Sequence, residues 1–522
     1  MIKYIGICWL LFALIFSSAS VMGATIPEKT PLVASNFMRL PKAKEVNEFL
    51  MQLAQASPQA SVQTLGLSAG GRSIDALLLS QDRGFLTDRL ATPEKLTVML
   101  IGSQHGTELA GGAAILIIAQ KILTGELGEI LENMNLVLVP YANPDGLDSN
   151  SRYNDAGENI NIDYVALNLD ETLNFVHALD KFKPQAVLDV HEYAVYKRVL
   201  SGDQGYVLAT GTQFELANNP NINHSLQQFS VSELLPQLIL AVEEKGLSAN
   251  RYLGEINSLD APVTGGGLSL FNFRNYSGLR GALSVLVEGR KDPTEDTYET
   301  PENIEVRVER QVIGILAFLE VIQKYKKQII SITNNAREHW ITDYKEGKEL
   351  NLKAEYALDE ASPETSVPLL NLETDDVEVH QFSNHSNILA YVPTALPDAY
   401  AIVAEQDRMM VLLEKHGIDY EVIEAPQQLS GHKQKITNIS IRYPQVGVRQ
   451  FLDIKVDEEN IKVDLKKGDL LVKTDQPFGI FVPLIFDLRS SDNIFQDISY
   501  RELLLKYREF FIFPVQLETT EK

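Results

Sequence analysis

The chain is poor in cysteine, since Cys8 is the one cysteine among its 522 residues. Cys8 lies in an apolar stretch, Ile5 to Phe16, which follows Lys3 and precedes a run of small residues, the pattern of a secretory signal peptide. We therefore predict that residues 1–23 are removed on export, which leaves a mature chain without a thiol or a disulfide. Export without disulfides is typical of a bacterial periplasmic or extracellular protein, and a chain of this length can bury a core that needs no cross-links.

Basic residues are also scarce, with 46 Lys and Arg against 70 Asp and Glu, for a formal net charge of −24. Such a surface repels nucleic acid and anionic lipid, so neither is an expected partner. Beyond the predicted signal peptide, no apolar run is long enough to span a bilayer, and we expect no membrane span. The oligomeric state has no signature in the sequence.

The patterns of hydrophobic residues divide the chain into two folded regions. Strand and helix patterns alternate over residues 36–330, which predicts an α/β domain with a mixed, mostly parallel sheet and helices on both faces. The charged segment 336–364 is interpreted as a linker. Short alternating runs in residues 365–522 predict a smaller C-terminal β-rich α+β accessory domain, in which Ala399 to His416 has the pattern of one helix.

Four acidic or imidazole side chains follow predicted strands of the first domain. His105 and Glu108 are three residues apart after one strand, His191 ends another, and Glu288 ends a third. Ligands bind beyond the carboxyl ends of the strands in open α/β sheets, so these side chains are expected to meet. Two imidazoles and a carboxylate make the open zinc site of a hydrolase, and Glu288 remains to act as general base and then general acid. We predict one Zn²⁺ per chain, bound by His105, Glu108 and His191.

These residues belong to a longer ordered set of motifs. The set resembles that of the zinc metallocarboxypeptidases of the carboxypeptidase A type over about residues 41–324. The matching pieces are Gly66-x-Ser68-x-x-Gly71-Arg72, His105-Gly106-Thr107-Glu108, Asn143-Pro144-Asp145-Gly146, the loop from Arg152 to Asn161, Asp189-Val190-His191 and Val287-Glu288-Gly289-Arg290. The resemblance implies a secreted bacterial member of that family, with a carboxypeptidase-like catalytic domain.

The resemblance also assigns roles in the Arg152 to Asn161 loop. It implies that Arg152 polarises the scissile carbonyl and stabilises its oxyanion, and that Asn161 contacts the substrate. Two positions depart from the family. Ile162 stands where an Arg commonly clamps the C-terminal carboxylate of the substrate, and Asn159 stands where an Asp usually orients the first zinc histidine.

Three further residues are candidates for substrate binding in a loop that differs from that of the family. Tyr276 is the nearest counterpart of the mobile tyrosine of the family. Arg274 or Arg280 is a candidate for the positive charge that is missing at Ile162. An ordinary role in anchoring the loop is the alternative interpretation for either arginine.

Three functions remain open from the sequence. The first is a zinc-dependent metallocarboxypeptidase that hydrolyses peptide bonds in a peptide or peptide-like substrate. The second is a zinc amide hydrolase on the same fold that acts on peptidoglycan stem peptides or N-acyl amino acids, which Ile162 leaves open. The third is a non-catalytic binding protein, which the presence of all three metal ligands and Glu288 disfavours.

Overall fold

The structure is a computed structural model that describes residues 25–87, 94–194, 200, 205–291, 303–442, 451–507 and 509–517. The predicted signal peptide, residues 1–23, lies outside the described residues. In the described part of the chain, no helix is both long and apolar enough to cross a membrane.

The N-terminal region alternates strands and helices, as predicted. Its strands are β1 (Ala60–Leu67), β2 (Ser73–Leu79), β3 (Leu96–Gly102), β4 (Met134–Val139), β5 (Ala186–Ala194), β6 (Tyr206–Leu208), β7 (Thr212–Leu216), β8 (Ala249–Arg251) and β9 (Leu283–Lys291). Its helices are α1 (Pro31–Ala34), α2 (Ala43–Ala56), α3 (Arg83–Leu86), α4 (Ala110–Leu123), α5 (Ile130–Asn133), α6 (Pro144–Ser149), α7 (Asp170–Phe182), α8 (His224–Phe229), α9 (Leu235–Glu243), α10 (Phe273–Leu279), α11 (Ile304–Lys324) and α12 (Lys326–Glu338). A 3₁₀ turn at Ile160–Ile162 and a π-helical turn at Ser230–Leu234 complete this region.

Eight of these strands form one sheet in the order β1-β2-β4-β3-β5-β9-β7-β8. Strands β4, β3, β5 and β9 are parallel neighbours, whereas β1, β2 and β7 run antiparallel to strands beside them. This arrangement confirms the predicted mixed, mostly parallel sheet. The central strands are buried on both faces, which explains why β3 and β4 are almost continuous apolar runs.

Helices cover both faces of the sheet. Helices α2, α4, α9 and α11 bury their apolar residues on one face, and α7 and α10 bury theirs on the other. The carboxyl ends of β3, β5 and β9 remain for the loops that carry the predicted site. The helices therefore cover the faces of the sheet, and the predicted site lies at the carboxyl ends of its central strands.

Two consecutive helices close the first region in the structure. Helix α11 ends before Tyr325, and α12 then continues to Glu338. The segment 336–364, which the sequence indicates as a linker, contains the end of α12, helix α13 (Trp340–Lys345) and strands β10 (Leu350–Asn351) and β11 (Ala354–Ala357). The structure therefore gives this segment regular secondary structure.

The C-terminal region is β-rich, as predicted. Its remaining strands are β12 (Glu364–Asn371), β13 (Val377–Ser383), β14 (Asn387–Ala390), β15 (Pro393–Thr394), β16 (Ala399–Ile402), β17 (Glu421–Val422), β18 (Gln427–Arg442), β19 (Phe451–Leu465), β20 (Leu470–Lys473) and β21 (Ile512–Gln516). Its helices are α14 (Gln406–His416), α15 (Phe481–Phe486) and α16 (Arg501–Lys506). An antiparallel sheet of order β17-β20-β16-β21-β18-β19 forms its centre.

The prediction of one helix from Ala399 to His416 is wrong in its first part. Residues Ala399–Ile402 form β16, which pairs with β20 on one side and β21 on the other. All four residues are buried, so their apolar character has no period that separates a strand from a helix. The helix itself begins at Gln406.

The two regions share one hydrophobic core. The side chains of Tyr276 in α10 and Phe481 in α15 are in contact, with ring centroids 5.1 Å apart. Strand β6 of the first region pairs with β12 of the second, in a register that places Leu208 opposite Leu369. The C-terminal region therefore packs directly on the α/β region.

Candidate metal and catalytic site

The order of the strands brings the four predicted side chains together. On the neighbouring parallel strands β5 and β9, His191 lies opposite Glu288. On the other side of β5, Gly102 at the end of β3 pairs with Val190, so the loop that carries His105 begins beside His191. The site therefore follows from the placement of three strands that are distant in sequence.

The loop after β3 is held in a tight conformation. Ser103 has a positive φ of 55°, and its hydroxyl donates to the backbone carbonyl of Glu108 at 2.8 Å. Gly106 packs directly on Gly146, where an added Cβ would lie 2.2 Å from the Gly146 carbonyl carbon. Only glycine permits this approach, and it seats the Asn143-Pro144-Asp145-Gly146 motif under the His105 loop.

The motif from Gly66 to Arg72 anchors the Asn143-Pro144-Asp145-Gly146 motif. Asp145 accepts hydrogen bonds from the Ser68 hydroxyl at 2.6 Å, the Gly70 backbone N–H at 2.8 Å and Arg72 Nη1 at 2.7 Å. Burial alone raises the pKa of Asp145, but these donors outweigh it and hold the pKa below its usual value. The hairpin turn between β1 and β2 thus serves to support the site.

Two histidines and one glutamate converge in the centre of the site. His105 Nδ1 lies 2.8 Å from Glu108 Oε1, and His191 Nδ1 lies 2.8 Å from Glu108 Oε2. All three side chains are buried, and among the described residues they are the group whose donor atoms lie within 4.8 Å of one another. Two imidazoles and one carboxylate are the donor set of an open catalytic zinc site, so these residues fit the metal.

The outward ring nitrogens of both histidines also have partners. His105 Nε2 lies 3.2 Å from Asn159 Oδ1, and His191 Nε2 lies 2.9 Å from Asp189 Oδ1. Such partners fix the ring orientation of a metal-binding histidine and direct its other nitrogen inward. Asn159 therefore still supports His105, although it is an amide.

Charge interactions within the cluster oppose the effect of burial. Burial lowers the pKa of His105. For His191 burial acts in the same direction, but Asp189 and Glu108 outweigh it and raise the pKa well above the usual value. Burial raises the pKa of Glu108, but His105 and His191 outweigh it and lower that pKa well below the usual value. Glu108 is thus held as a carboxylate, the form that binds a metal.

The two predicted catalytic residues lie at this cluster. Arg152 Nη1 donates to Glu108 Oε1 at 2.9 Å, and 45% of the Arg152 side chain is exposed, so part of the guanidinium is accessible to a substrate. Glu288 is half-buried on β9 beside His191. The structure therefore brings together His105, Glu108, His191, Arg152 and Glu288.

One of the predicted substrate-binding residues, Asn161, contacts the cluster, and a second, Arg274, lies on the helix that Asn161 also contacts. Asn161 Nδ2 is 3.4 Å from His191 Nε2, and Asn161 Oδ1 accepts from the Phe273 backbone N–H at 3.2 Å. Arg274 is one residue further along α10, and it donates to the Gly267 carbonyl at 2.8 Å and to an asparagine, Asn218, at 3.1 Å. Arg274 is buried, with an exposed fraction of 5%.

The other two candidates contact residues outside the cluster, and their role in substrate binding stays a prediction. The Tyr276 hydroxyl is 3.0 Å from His416 Nδ1, in the buried contact with the C-terminal region. Arg280 donates to the carboxylate of Asp180 and precedes β9, at the opposite end of that strand from Glu288. Both side chains therefore have packing partners within the folded chain.

The sequence did not identify three polar residues at the site as functional candidates. Gln104 and Asp189 form a buried hydrogen-bonded pair beside His191. On the other side of β5, Glu192 accepts two hydrogen bonds from Arg307, at 2.6 and 2.8 Å. The available signal was the spacing of Asp189 and His191, because residues two apart on a strand share one face.

Comparison with known proteins identifies related chains. Residues 46–179 match the zinc carboxypeptidase family. The chain is 24% identical over 484 residues to a probable carboxypeptidase 2 of Arthroderma benhamiae, covering 90% of this chain and 88% of that one. It is 23% identical over 466 residues to carboxypeptidase 2 of Trichophyton tonsurans, covering 87% and 83%.

Two solved structures are also similar to this chain. A metallo-carboxypeptidase from Pseudomonas aeruginosa has a TM-score of 0.40 and 19% identity, covering 55% of this chain and 69% of that one. Carboxypeptidase A from Helicoverpa armigera has a TM-score of 0.42 and 17% identity, covering 56% and 75%.

The matched family segment includes the His105 loop and the Arg152 to Asn161 loop, and the fungal relatives extend the likeness through most of the chain. The donor set formed by His105, Glu108 and His191 is that of a zinc hydrolase. These findings support a metallopeptidase-type hydrolase that is similar to the zinc carboxypeptidases of the carboxypeptidase A type.

Proposed function

We propose that the protein is a zinc-dependent carboxypeptidase that hydrolyses the C-terminal peptide bond of peptide substrates. The observation that carries this proposal is the convergence of two imidazoles and a carboxylate beside Glu288 and Arg152. Zinc, when bound by His105, Glu108 and His191, would supply Lewis-acid activation of the attacking water and of the scissile carbonyl.

The residues of the chain carry the proton transfers and part of the charge stabilisation. The Glu288 carboxylate accepts a proton from the attacking water and passes it to the leaving amine. The guanidinium of Arg152 donates to the carbonyl oxygen of the substrate as negative charge develops there. Asn161 contacts the substrate backbone.

The metal assignment has a direct test. Elemental analysis of the purified protein should find one zinc per chain, and His191→Ala should lose most of it, because the ligand set falls to two. His177→Ala, in which the altered histidine lies on α7, is the matched control and should keep the metal. Active protein without zinc or a similar metal contradicts the proposal.

Recognition of the C-terminal carboxylate is the finer part of the proposal, and we assign it to Arg274. The position matching the family arginine is Ile162, whose side chain has no hydrogen-bond donor and is 42% exposed. Both hydrogen-bond partners of Arg274 are neutral, and its Nε has no hydrogen-bond partner among the described residues. A buried guanidinium with neutral hydrogen-bond partners and a spare Nε donor can bind a carboxylate ligand, and the Glu215 carboxylate also lies against Gly266 beside it.

Strand register relates Arg274 to the reaction centre. On β9, Glu288 and Leu286 share one face, and Glu215 on β7 lies opposite Leu286. Glu215 Oε2 accepts from the backbone N–H of Gly266, in the glycine loop that Arg274 also contacts. Arg274 thus lies on the same side of the sheet as Glu288, which supports its role in substrate binding.

A matched pair of substrates tests this assignment. A peptide with a free C-terminal carboxylate should have a kcat/KM about 10- to 150-fold above that of its C-terminal amide, because a hydrogen bond to a charged group contributes about 1.5–3 kcal/mol. Arg274→Gln should remove most of this preference. The matched control is Arg280→Gln, which should keep the preference even if it lowers stability, since a ratio does not depend on the folded fraction.

Equal kcat/KM values for the acid and the amide favour the alternative function. In that case the protein is a zinc amide hydrolase for peptidoglycan stem peptides or N-acyl amino acids. Ile162 is the observation that favours it, and an assay on cell-wall fragments separates the two. If the unmodified protein binds no metal and hydrolyses none of these substrates, the third function is favoured, a non-catalytic binding protein.

We also propose that the protein is exported to the periplasm or the exterior. The apolar segment Ile5 to Phe16 after Lys3 supports this proposal. N-terminal sequencing of protein recovered from outside the cytoplasm should begin near residue 24.

A further inference from the structure

A chain of buried hydrogen bonds ends at His191. The Tyr164 hydroxyl donates to Gln104 Oε1 at 2.9 Å, Gln104 Nε2 donates to Asp189 Oδ1 at 2.8 Å, and the same oxygen lies 2.9 Å from His191 Nε2. Tyr164, Gln104 and Asp189 have no exposed surface, and His191 has an exposed fraction of 2%. Three separate segments therefore meet behind one metal-binding ring.

The chemistry of these groups fixes the direction of each bond. A carboxylate only accepts hydrogen bonds, so the Gln104 amide must turn its nitrogen to Asp189 and its oxygen to Tyr164. Asp189 Oδ1 then takes two donors, while Oδ2 is buried without a hydrogen-bond partner among the described residues. The carboxylate is thus held in one orientation by Gln104.

This orientation decides which nitrogen of His191 faces the metal ligands. With Nε2 bonded to Asp189, the ring presents Nδ1 to the cluster, where it lies 2.8 Å from Glu108 Oε2. The equivalent partner of His105 is the amide oxygen of Asn159, at the longer distance of 3.2 Å. The carboxylate support in this chain therefore lies behind the second histidine.

We infer that Asp189 is a positioning residue that raises the metal affinity of the site through His191, and that Gln104 and Tyr164 hold Asp189 in place. This inference rests on the proposed zinc site. The negative charge of Asp189 strengthens the imidazole as a ligand, and partners of this kind contribute about 10- to 100-fold in metal affinity. Gln104 lies next to His105 in sequence, so one segment supplies a ligand and also braces the ring of the other histidine.

The test is a competitive titration of the metal-free full chain with zinc and a chromophoric chelator. Asp189→Asn should lower the zinc affinity about 10- to 100-fold. The substitution is nearly isosteric, since the new amide can keep its oxygen toward both donors and place its nitrogen where the second carboxylate oxygen has no partner. Gln104→Met should lower the affinity by a smaller factor, and Tyr164→Phe by the smallest.

A rescue variant separates positioning from a merely structural role. Asn159→Asp introduced into the Asp189→Asn chain moves the carboxylate from His191 to His105, and it should restore most of the lost zinc affinity. The absorption spectrum of the Co²⁺ form reports the ligand field directly and should return toward that of the unmodified chain. A general loss of packing at Asp189 is not repaired by a change at Asn159.

One result would refute the positioning role of Asp189, and a different result would refute the metal site itself. An Asp189→Asn chain that binds zinc within about twofold of the unmodified chain, with an unchanged thermal melt, refutes the positioning role and leaves the proposed function intact. An unmodified chain that binds no zinc refutes the metal site, and the proposed function with it.

Discussion

Replacing Glu288 with Gln is expected to lower kcat by about 10²–10⁴-fold, the usual contribution of general acid–base catalysis. Glu288 lies on β9 opposite His191, at the carboxyl end of the sheet where the cluster forms. The amide is nearly isosteric with the carboxylate, so packing changes little, but it cannot accept the proton of the attacking water. Zinc content should stay at that of the unmodified chain.

A matched control keeps the measurement specific. Glu158→Gln makes the same chemical change on an exposed residue of the loop between Arg152 and Asn161, and it should leave kcat unchanged. Steady-state kinetics on one peptide, with zinc measured in each sample, compares the two variants. A Glu288→Gln protein with nearly normal turnover removes Glu288 from the proposed mechanism.

Replacing Arg152 with Ala is expected to lower kcat and kcat/KM together, by about 10²–10³-fold. Its guanidinium donates to Glu108 Oε1 and is 45% exposed, so it reaches from the cluster into the space that a substrate occupies. A donor that acts on developing negative charge stabilises the transition state more than the bound substrate, and the loss should appear in kcat.

Metal binding provides the control for Arg152. A ligand-orienting role for this arginine predicts weaker zinc binding, whereas the oxyanion role predicts normal zinc content with slow turnover. A variant that changes only KM shows instead that Arg152 binds the ground state of the substrate. Arg83→Ala, on the short helix α3 outside the site, should alter none of these values.

Local sequence determined the elements that carry the site. The apolar run from Leu96 to Gly102 predicts a strand, and it forms β3 in the structure. The spacing of His105 and Glu108 also determined that both lie in one loop. These features depend on neighbours in sequence, so they were predictable.

The contacts of the arginines after residue 270 were decided only by the tertiary structure. Arg274 and Arg280 are six residues apart and equally charged, so the sequence left both as candidates. The fold buries Arg280 against Asp180 at one end of β9, whereas Arg274 donates to Asn218 and to the Gly267 carbonyl. The difference arises from strand register and packing between distant segments, which local pattern does not contain.

The proposed metal ligands and the residues that contact them from behind differ for the same reason. His105, Glu108 and His191 were identifiable from the sequence, because each follows a strand and carries a side chain typical of zinc sites. The link from Tyr164 through Gln104 to Asp189 joins three segments, and its direction depends on which oxygen faces which donor. The sequence by itself therefore determined the strands that carry the site and the proposed ligand set, whereas the orientation of these side chains required contacts that only the folded chain creates.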